Sequence, residues 1–264
     1  MFNLANLCTA GNLMSGILAI LLVFTGNLVQ APYAIFLGLI FDFLDGFVAR
    51  LFKTSGELGK QLDSLADMVT FGVAPGIIMM AFMAANPAIS GGSEIYVATD
   101  FSQWVRAVVH LERDVSYLPL TALLIPFFAL FRLAKFNIDT RQSHSFLGLP
   151  TPANTLFFMA FPLSIRNIGA DFYDSPIYQF IYNPWFISVL ILIMGILMIS
   201  EVPLFALKFK QYKFKGNEIR YSFLLISLVL IPVFGVWSIA LIVFLYLILS
   251  LVENTFFKKK ENEI

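Results

Sequence analysis

Residues 42–67 read DFLDGFVARLFKTSGELGKQLDSLAD and set four aspartates, small residues and an arginine inside strongly apolar sequence. The spacing is D-x2-D-G-x2-A-R-x8-G-x3-D-x3-D, and its eight fixed positions are Asp42, Asp45, Gly46, Ala49, Arg50, Gly59, Asp63 and Asp67. Charged side chains at membrane depth are costly, so they indicate a functional site. We interpret this segment, called the aspartate motif below, as a metal and diphosphate site that the rest of the chain encloses.

The composition indicates a membrane protein. The 264 residues are 59% hydrophobic and only 13% charged, with a mean hydropathy of +0.82, whereas soluble globular proteins carry about 25% charged residues. The formal net charge is zero, so nothing in the overall charge indicates nucleic-acid binding. We expect an all-α bundle of membrane helices in a single membrane-embedded domain.

Apolar segments of about 20 residues predict roughly eight membrane spans. They cover roughly 12–30, 31–52, 58–84, 116–136, 152–168 and 185–207, and a block at 221–257 that Pro232 and Gly235 divide into two. With the N-terminus in the cytoplasm, 14 of the 17 Lys and Arg fall at cytoplasmic ends, as the positive-inside rule requires. We therefore expect an integral protein of the inner or plasma membrane, with both termini and the aspartate motif on the cytoplasmic side.

The aspartates of the motif form two pairs. Asp42 and Asp45 are three residues apart, and Asp63 and Asp67 are four apart, so each pair shares one face of a helix. A turn near residues 55–56 brings the two helices together, and the four carboxylates then repel strongly at low dielectric. Protonation or divalent cations relieve this repulsion, and hard cations such as Mg²⁺ are held by carboxylates and substrate phosphates.

The small residues of the motif leave room for a ligand. Gly46 and Ala49 lie on the same helical stripe as the first aspartate pair, and Gly59 lies at the start of the next helix. A bulky group can approach the backbone at these positions. Arg50 is a natural partner for a phosphate or a carboxylate.

The motif resembles that of the CDP-alcohol phosphatidyltransferases at all eight fixed positions. The resemblance implies a helical membrane bundle, usually a homodimer, with two divalent metal ions (Mg or Mn) that bind the diphosphate of a CDP-linked lipid. It implies transfer of the phosphatidyl group to an alcohol, with release of CMP. By position, Asp42, Asp45 and Asp63 become metal ligands, and Asp67 becomes a metal ligand and the general base. Gly46, Ala49, Arg50 and Gly59 then line the nucleotide and diphosphate site.

The flanking sequence resembles the branch of this family that uses L-serine as the acceptor of the phosphatidyl group from CDP-diacylglycerol. The matching runs are NLCTAGNLMSG (6–16), DSLADMVTFGVAPG (63–76), FRLAKFN (131–137) and FLGLPTPAN (146–154), with Ala5 in place of the usual proline. Within the first run, Asn6 and Thr9 are assigned to the CDP site. Arg132 and Lys135 are candidates to bind the serine carboxylate or the diphosphate by charge-assisted hydrogen bonds.

The resemblance covers most of residues 3–160, so we place the catalytic core at 1–168 and additional helices at 185–257. Alternative acceptors within the family are glycerol 3-phosphate, inositol and an amino alcohol. Membrane prenyltransferases also bind diphosphates through aspartates, but with a different spacing. A divalent-cation transporter would have carboxylates in several spans, and outside the motif the sequence places only Glu201 well inside one.

Overall fold

The first helix of the chain packs against both helices that carry the aspartate motif. In the computed structural model, which describes residues 3–54, 56–85, 97–113, 115–139, 146–165, 175–205 and 217–254, α1 spans Leu4–Phe24 and α2 spans Ala31–Leu51. Helix α3 spans Glu57–Asp67, and α1 contacts both α2 and α3. The sequence predicted a first span at 12–30, but the helix begins at Leu4 because the Asn3 side chain accepts a hydrogen bond from the Asn6 N–H at 2.8 Å and caps it.

A π-helical turn follows the last aspartate of the motif. Helix α3 continues through the π-helical residues Met68–Val73 into α4 (Ala74–Ala84). Pro75 has no N–H to donate to the carbonyl of Phe71 four residues earlier. That carbonyl instead accepts a hydrogen bond from the Thr155 hydroxyl at 2.8 Å. The widened turn is thus fixed by a neighbouring helix, directly beside the motif.

A further helix lies between the third and fourth predicted spans. Helix α5 (Val97–Val109) buries Phe101 and Trp104 and packs on α4 and α1. The Trp104 indole N–H donates to the Ser116 carbonyl at 2.8 Å. A 3₁₀ segment (Leu118–Leu123) then leads into α6 (Leu124–Ile138), which packs on the π-helical turn.

The remaining elements complete the bundle around α4. They are β1 (Phe146–Leu147), α7 (Thr151–Ser164), α8 (Pro176–Ile181), α9 (Pro184–Ile199), β2 (Pro203–Leu204), α10 (Glu218–Phe234), a 3₁₀ turn (Gly235–Trp237) and α11 (Ser238–Val252). Strands β1 and β2 pair antiparallel. Gly148 follows β1 with φ +74°, and a Cβ there would lie 2.5 Å from the Met198 carbonyl oxygen, so only glycine fits.

Four stretches of the described chain are long and apolar enough to cross a membrane: Leu4–Phe24, Glu57–Ala84, Leu118–Ile138 and Glu218–Val252. The structure is thus that of a helical membrane protein, as predicted, although it does not confirm the count of about eight spans. Helices α7 and α9 have 14 and 16 residues, short for a hydrocarbon core of about 30 Å at about 1.5 Å per residue. In the last block the break falls at Gly235 with φ +53°, while Pro232 stays inside α10.

Candidate active site

Three of the four motif aspartates converge between α2 and α3. Asp42 from α2 and Asp63 and Asp67 from α3 each offer a carboxylate oxygen, and these oxygens lie within 4.8 Å of one another. Asp67 is buried, with 9% of its surface exposed, and the other two are half-buried. The spacing within each helix and the reversal between the helices therefore produce the convergence that the sequence indicated.

The fourth aspartate is turned toward α1. The Asp45 Oδ2 accepts a hydrogen bond from the Thr9 hydroxyl at 2.6 Å, and both residues are buried. Asp45 lies outside the group of three that shares the 4.8 Å cluster. The sequence predicted that all four aspartates converge as metal ligands, whereas the structure sets Asp45 apart from the group of three and pairs it with Thr9.

Helix α1 also contacts the cluster through Asn12. Its side-chain amide donates to Asp67 Oδ1 at 2.9 Å, and its backbone carbonyl accepts from the Thr70 hydroxyl at 2.9 Å. Asn12 and Thr70 are both fully buried. Sequence reasoning assigned neither residue to the site. The available signal was the i, i+3 spacing of Asn6, Thr9 and Asn12, which forms a polar stripe on an otherwise apolar helix.

The donor set of the cluster fits a hard divalent cation. Asp63 Oδ1 is buried, and no hydrogen-bond partner reaches it among the described residues. Buried polar atoms are nearly always partnered, so this oxygen is available to a ligand. Carboxylate oxygens are the ligands that Mg²⁺ and similar cations prefer, and a cation would offset the repulsion between the three carboxylates.

The residues predicted to line the diphosphate site flank the cluster. The Arg50 guanidinium is exposed and lies over Gly46, where an added Cβ would sit 3.6 Å from Nη1. A Cβ on Gly59 would sit 3.5 Å from the Asn6 side-chain oxygen. Ala49 is half-buried on α2. Each of these positions lies within about one helical turn of a motif aspartate.

Arg132 and Lys135 on α6 have protein partners away from the motif. Arg132 is buried, its Nε donates to the Leu149 carbonyl at 3.4 Å, and its guanidinium lies 5.3 Å from the centre of the Phe136 ring. Lys135 forms a 3.0 Å ion pair with Glu201. Nothing in these contacts assigns the acceptor carboxylate to one or the other.

The expected position of Glu201 inside a span was wrong. Helix α9 ends at Ile199, and Ser200 leaves helical geometry with ψ 160°. The Glu201 side chain is 61% exposed. Hydropathy had extended the sixth span to residue 207 because the segment after the helix is still apolar.

A polar contact ties α3 to the end of α6. Lys60 Nζ donates to the Asn137 carbonyl at 2.6 Å, and the Asn137 side-chain amide donates to the Ser64 hydroxyl at 2.9 Å. These bonds hold the helix that carries Arg132 and Lys135 against the helix that carries Asp63. Sequence reasoning had not identified this link.

Known proteins of one family are similar to this chain over most of its length. The family model for CDP-alcohol phosphatidyltransferase matches residues 2–252. A Helicobacter pylori protein named CDP-diacylglycerol–serine O-phosphatidyltransferase is 30% identical over 261 residues, covering 97% of this chain and 92% of the relative. The Bacillus subtilis protein of that name is 30% identical over 210 residues, covering 80% and 91%. An archaetidylserine synthase from Methanothermobacter thermautotrophicus is 33% identical over 165 residues, covering 61% and 58%.

The resemblance inferred from the aspartate motif is thereby confirmed over nearly the whole chain. The match extends well beyond residues 42–67 and includes the helices after residue 168. Two relatives at 30% identity are each covered over more than nine-tenths of their length. The chain therefore belongs to the CDP-alcohol phosphatidyltransferase family.

Proposed function

We propose that the protein transfers the phosphatidyl group from CDP-diacylglycerol to L-serine, giving phosphatidylserine and CMP. The observation that carries the reaction type is the convergence of Asp42, Asp63 and Asp67 within 4.8 Å in a chain of this family. The choice of serine is supported by the relatives, whose names specify serine as the acceptor. The same choice agrees with the flanking runs at 63–76, 131–137 and 146–154.

We assign the four aspartates to two divalent cations, Mg or Mn. Asp42, Asp63 and Asp67 supply the converging oxygens, and Asp45 borders them from α2. Bound cations would neutralise charge on the diphosphate oxygens and on the departing CMP. The unpartnered Asp63 oxygen supports this assignment because it is a buried acceptor that the described protein does not satisfy.

The residues of the site transfer the proton and position the substrate. Asp67 accepts the proton of the serine hydroxyl. The serine oxygen forms a bond to the β-phosphorus of CDP-diacylglycerol, which is the phosphorus that bears the lipid. The bond from that phosphorus to the bridging oxygen breaks, and the electron pair leaves with CMP. One P–O bond forms and one breaks, so no covalent enzyme intermediate is needed.

The nucleotide and diphosphate are held by residues around the cluster. Arg50 supplies a guanidinium for the phosphates, and Gly46, Ala49 and Gly59 allow the ligand to approach the helix backbones. Asn6 lies beside Gly59. Because the Thr9 hydroxyl already donates to Asp45, we assign Thr9 to that carboxylate and through it to the CDP site.

The acceptor carboxylate is bound by Arg132 or Lys135. The Lys60–Asn137 contact supports this because it holds the end of α6 against α3, which carries two of the aspartates. An arginine binds a carboxylate through two parallel hydrogen bonds, whereas a lysine binds it as a point charge. Each residue is substituted in turn and KM for serine is measured. The residue whose substitution raises KM for serine is the one that binds the acceptor carboxylate.

The site faces the cytoplasm in a bundle of about eight spans, with both termini on that side of the inner or plasma membrane. The protein acts as a homodimer. The distribution of 14 of 17 basic residues supports this orientation. Lys53 and Lys60 are exposed and flank the turn between α2 and α3. The soluble acceptor and the CDP headgroup would meet at that surface.

An acceptor panel tests the proposed function. Detergent-purified protein is given CDP-diacylglycerol, Mg²⁺ or Mn²⁺, and one of L-serine, glycerol 3-phosphate, inositol or ethanolamine, and CMP release is measured. CMP release with L-serine alone is expected. CMP release with another alcohol alone would overturn the assignment of serine as the acceptor. No CMP release with any alcohol would overturn the assignment of the protein as this enzyme.

A further inference from the structure

We propose that Asn12 is a positioning residue for Asp67, and that α1 orients the general base of the reaction before any ligand binds. This inference rests on the proposed function, since it takes Asp67 as the base and as a metal ligand. Its starting point is the 2.9 Å hydrogen bond from Asn12 Nδ2 to Asp67 Oδ1. Both residues are buried, so water does not compete for the bond.

The orientation of the Asn12 amide follows from its neighbours. The amide nitrogen faces Asp67 Oδ1, which is the orientation that a metal-binding carboxylate needs, because an ionised carboxylate only accepts hydrogen bonds. The amide oxygen then points away, toward Gly38, where an added Cβ would lie 3.1 Å from it. That oxygen is buried with no hydrogen-bond partner among the described residues. A residue needed only for packing would be apolar, because an unpartnered buried acceptor lowers stability.

The backbone around Asn12 is held equally closely. The Thr70 hydroxyl donates to the Asn12 carbonyl at 2.9 Å. A Cβ on either Gly16 or Gly38 would lie 2.6 Å from a Thr70 side-chain atom, so α1, α2 and the π-helical turn meet at contact distance there. The turn begins one residue after Asp67. Asn12, Thr70 and Asp67 therefore form one connected unit in which the carboxylate orientation is set by two helices.

A donor of this kind fixes the rotamer of a metal-binding carboxylate. A residue that hydrogen-bonds to a metal-binding side chain orients that side chain. Removing such a residue reduces metal affinity or activity by about 10–100-fold. Asn12 occupies one lone pair of a carboxylate that has about four. The remaining lone pairs stay available to a cation and to the serine hydroxyl.

Two substitutions and a matched control test the proposal. Asn12→Ala removes the donor and leaves a void, and Asn12→Leu removes the donor while keeping the side-chain shape. Ser15→Ala is the control, because Ser15 is buried on α1 and its hydroxyl donates to the Gly11 carbonyl of the same helix at 2.8 Å. Mn²⁺ affinity is measured by electron paramagnetic resonance without substrate, and kcat and KM for serine are measured separately.

Both Asn12 variants are expected to bind Mn²⁺ about 10–100-fold more weakly and to lose kcat by a similar factor, with KM for serine unchanged. Ser15→Ala should match the unmodified protein. Unchanged Mn²⁺ affinity in Asn12→Leu would overturn the proposal, because a residue that only fills space would be replaced by leucine without loss. Because Mn²⁺ binding is read without substrate, it remains informative even where the acceptor panel contradicts the proposed function.

A second pair of variants applies where the Asn12 variants do not fold. Thr70→Val removes the hydroxyl that holds the Asn12 carbonyl and keeps the volume, and Thr70→Ser retains the hydroxyl. The proposal predicts weaker Mn²⁺ binding in Thr70→Val than in Thr70→Ser. Equal affinities in the two variants would overturn it.

Discussion

Replacing Gly16 by alanine adds one methyl group at the closest approach of α1 to the π-helical turn. The new Cβ would lie 2.6 Å from the Thr70 hydroxyl oxygen and 2.8 Å from the Thr70 Cα. The hydroxyl can rotate away, but the Cα is backbone and cannot. The substitution therefore requires α1 to move relative to the turn that follows Asp67.

The size of that movement follows from the contact distance. Carbon atoms pack at about 3.5–4.0 Å, so α1 must retreat from a 2.8 Å contact by about 0.7–1.2 Å. Asn12 lies one turn earlier on α1 and moves with it, which stretches its 2.9 Å bond to Asp67 beyond hydrogen-bonding distance. Overpacking of this kind costs about 1–3 kcal/mol of stability. Misplacement of a catalytic group by about 1 Å costs about 100-fold in rate.

The assay compares CMP release and thermal unfolding in Gly16→Ala and in a control with the same chemical change. Gly56→Ala is the control, because among the described residues beyond its chain neighbours no heavy atom lies within 4 Å of its added Cβ. Gly16→Ala should lose about 100-fold in kcat and show a lower Tm, while Gly56→Ala, which changes only the N-cap of α3, should retain kcat. Full activity in Gly16→Ala, or an equal loss of kcat in Gly56→Ala, would contradict this expectation.

Three further substitutions have expected outcomes. Glu201→Gln breaks the partly exposed ion pair with Lys135, so it should lower the free energy of unfolding by less than about 1 kcal/mol; a larger loss would contradict this. Asp42→Asn removes one of three clustered carboxylates and so should raise Tm in EDTA while weakening Mn²⁺ binding; a fall in Tm under EDTA would count against the cluster. Thr9→Val removes the donor to Asp45 and should lower kcat about 10–100-fold, whereas Thr9→Ser keeps the hydroxyl and should stay largely active. Equal kcat values in the two variants would exclude a role for the Thr9–Asp45 hydrogen bond.

The aspartate motif was sufficient to predict the cluster of aspartates, because the spacings that bring them together lie within one short segment of sequence. Spacings of three and four residues fix a shared helical face, and the short turn between α2 and α3 brings Asp42 near Asp63 and Asp67. The family followed from the same eight positions and was confirmed. These features depend on residues close together in sequence, so sequence reasoning could reach them.

The contacts from α1 were not predictable in the same way. Asn12 lies 55 positions from Asp67 in sequence, and its meeting with Asp67 depends on the rotation of α1. That rotation is set by the close approach of Gly16 and Gly38 to Thr70. The polar stripe on α1 was visible in the sequence, but the packing that aims it at the cluster was not.

Helix ends also depended on details that hydropathy does not contain. The Asn3 cap starts α1 eight residues before the predicted span. Helix α9 ends at Ile199 although apolar residues continue, and Glu201 is therefore exposed beside Lys135. Averaged hydrophobicity locates a span, whereas individual caps and breaks decide which polar residues fall outside it.

The most direct test of the proposed reaction measures CMP and the lipid product together. Purified protein with CDP-diacylglycerol, L-serine and Mn²⁺ is compared with the Asp67→Asn variant, which is checked for an unchanged circular dichroism spectrum. Phosphatidylserine and CMP are expected in equal amounts from the unmodified protein, and neither is expected from Asp67→Asn. Phosphatidylserine formed by Asp67→Asn at the unmodified rate, or CMP released without phosphatidylserine, would contradict it.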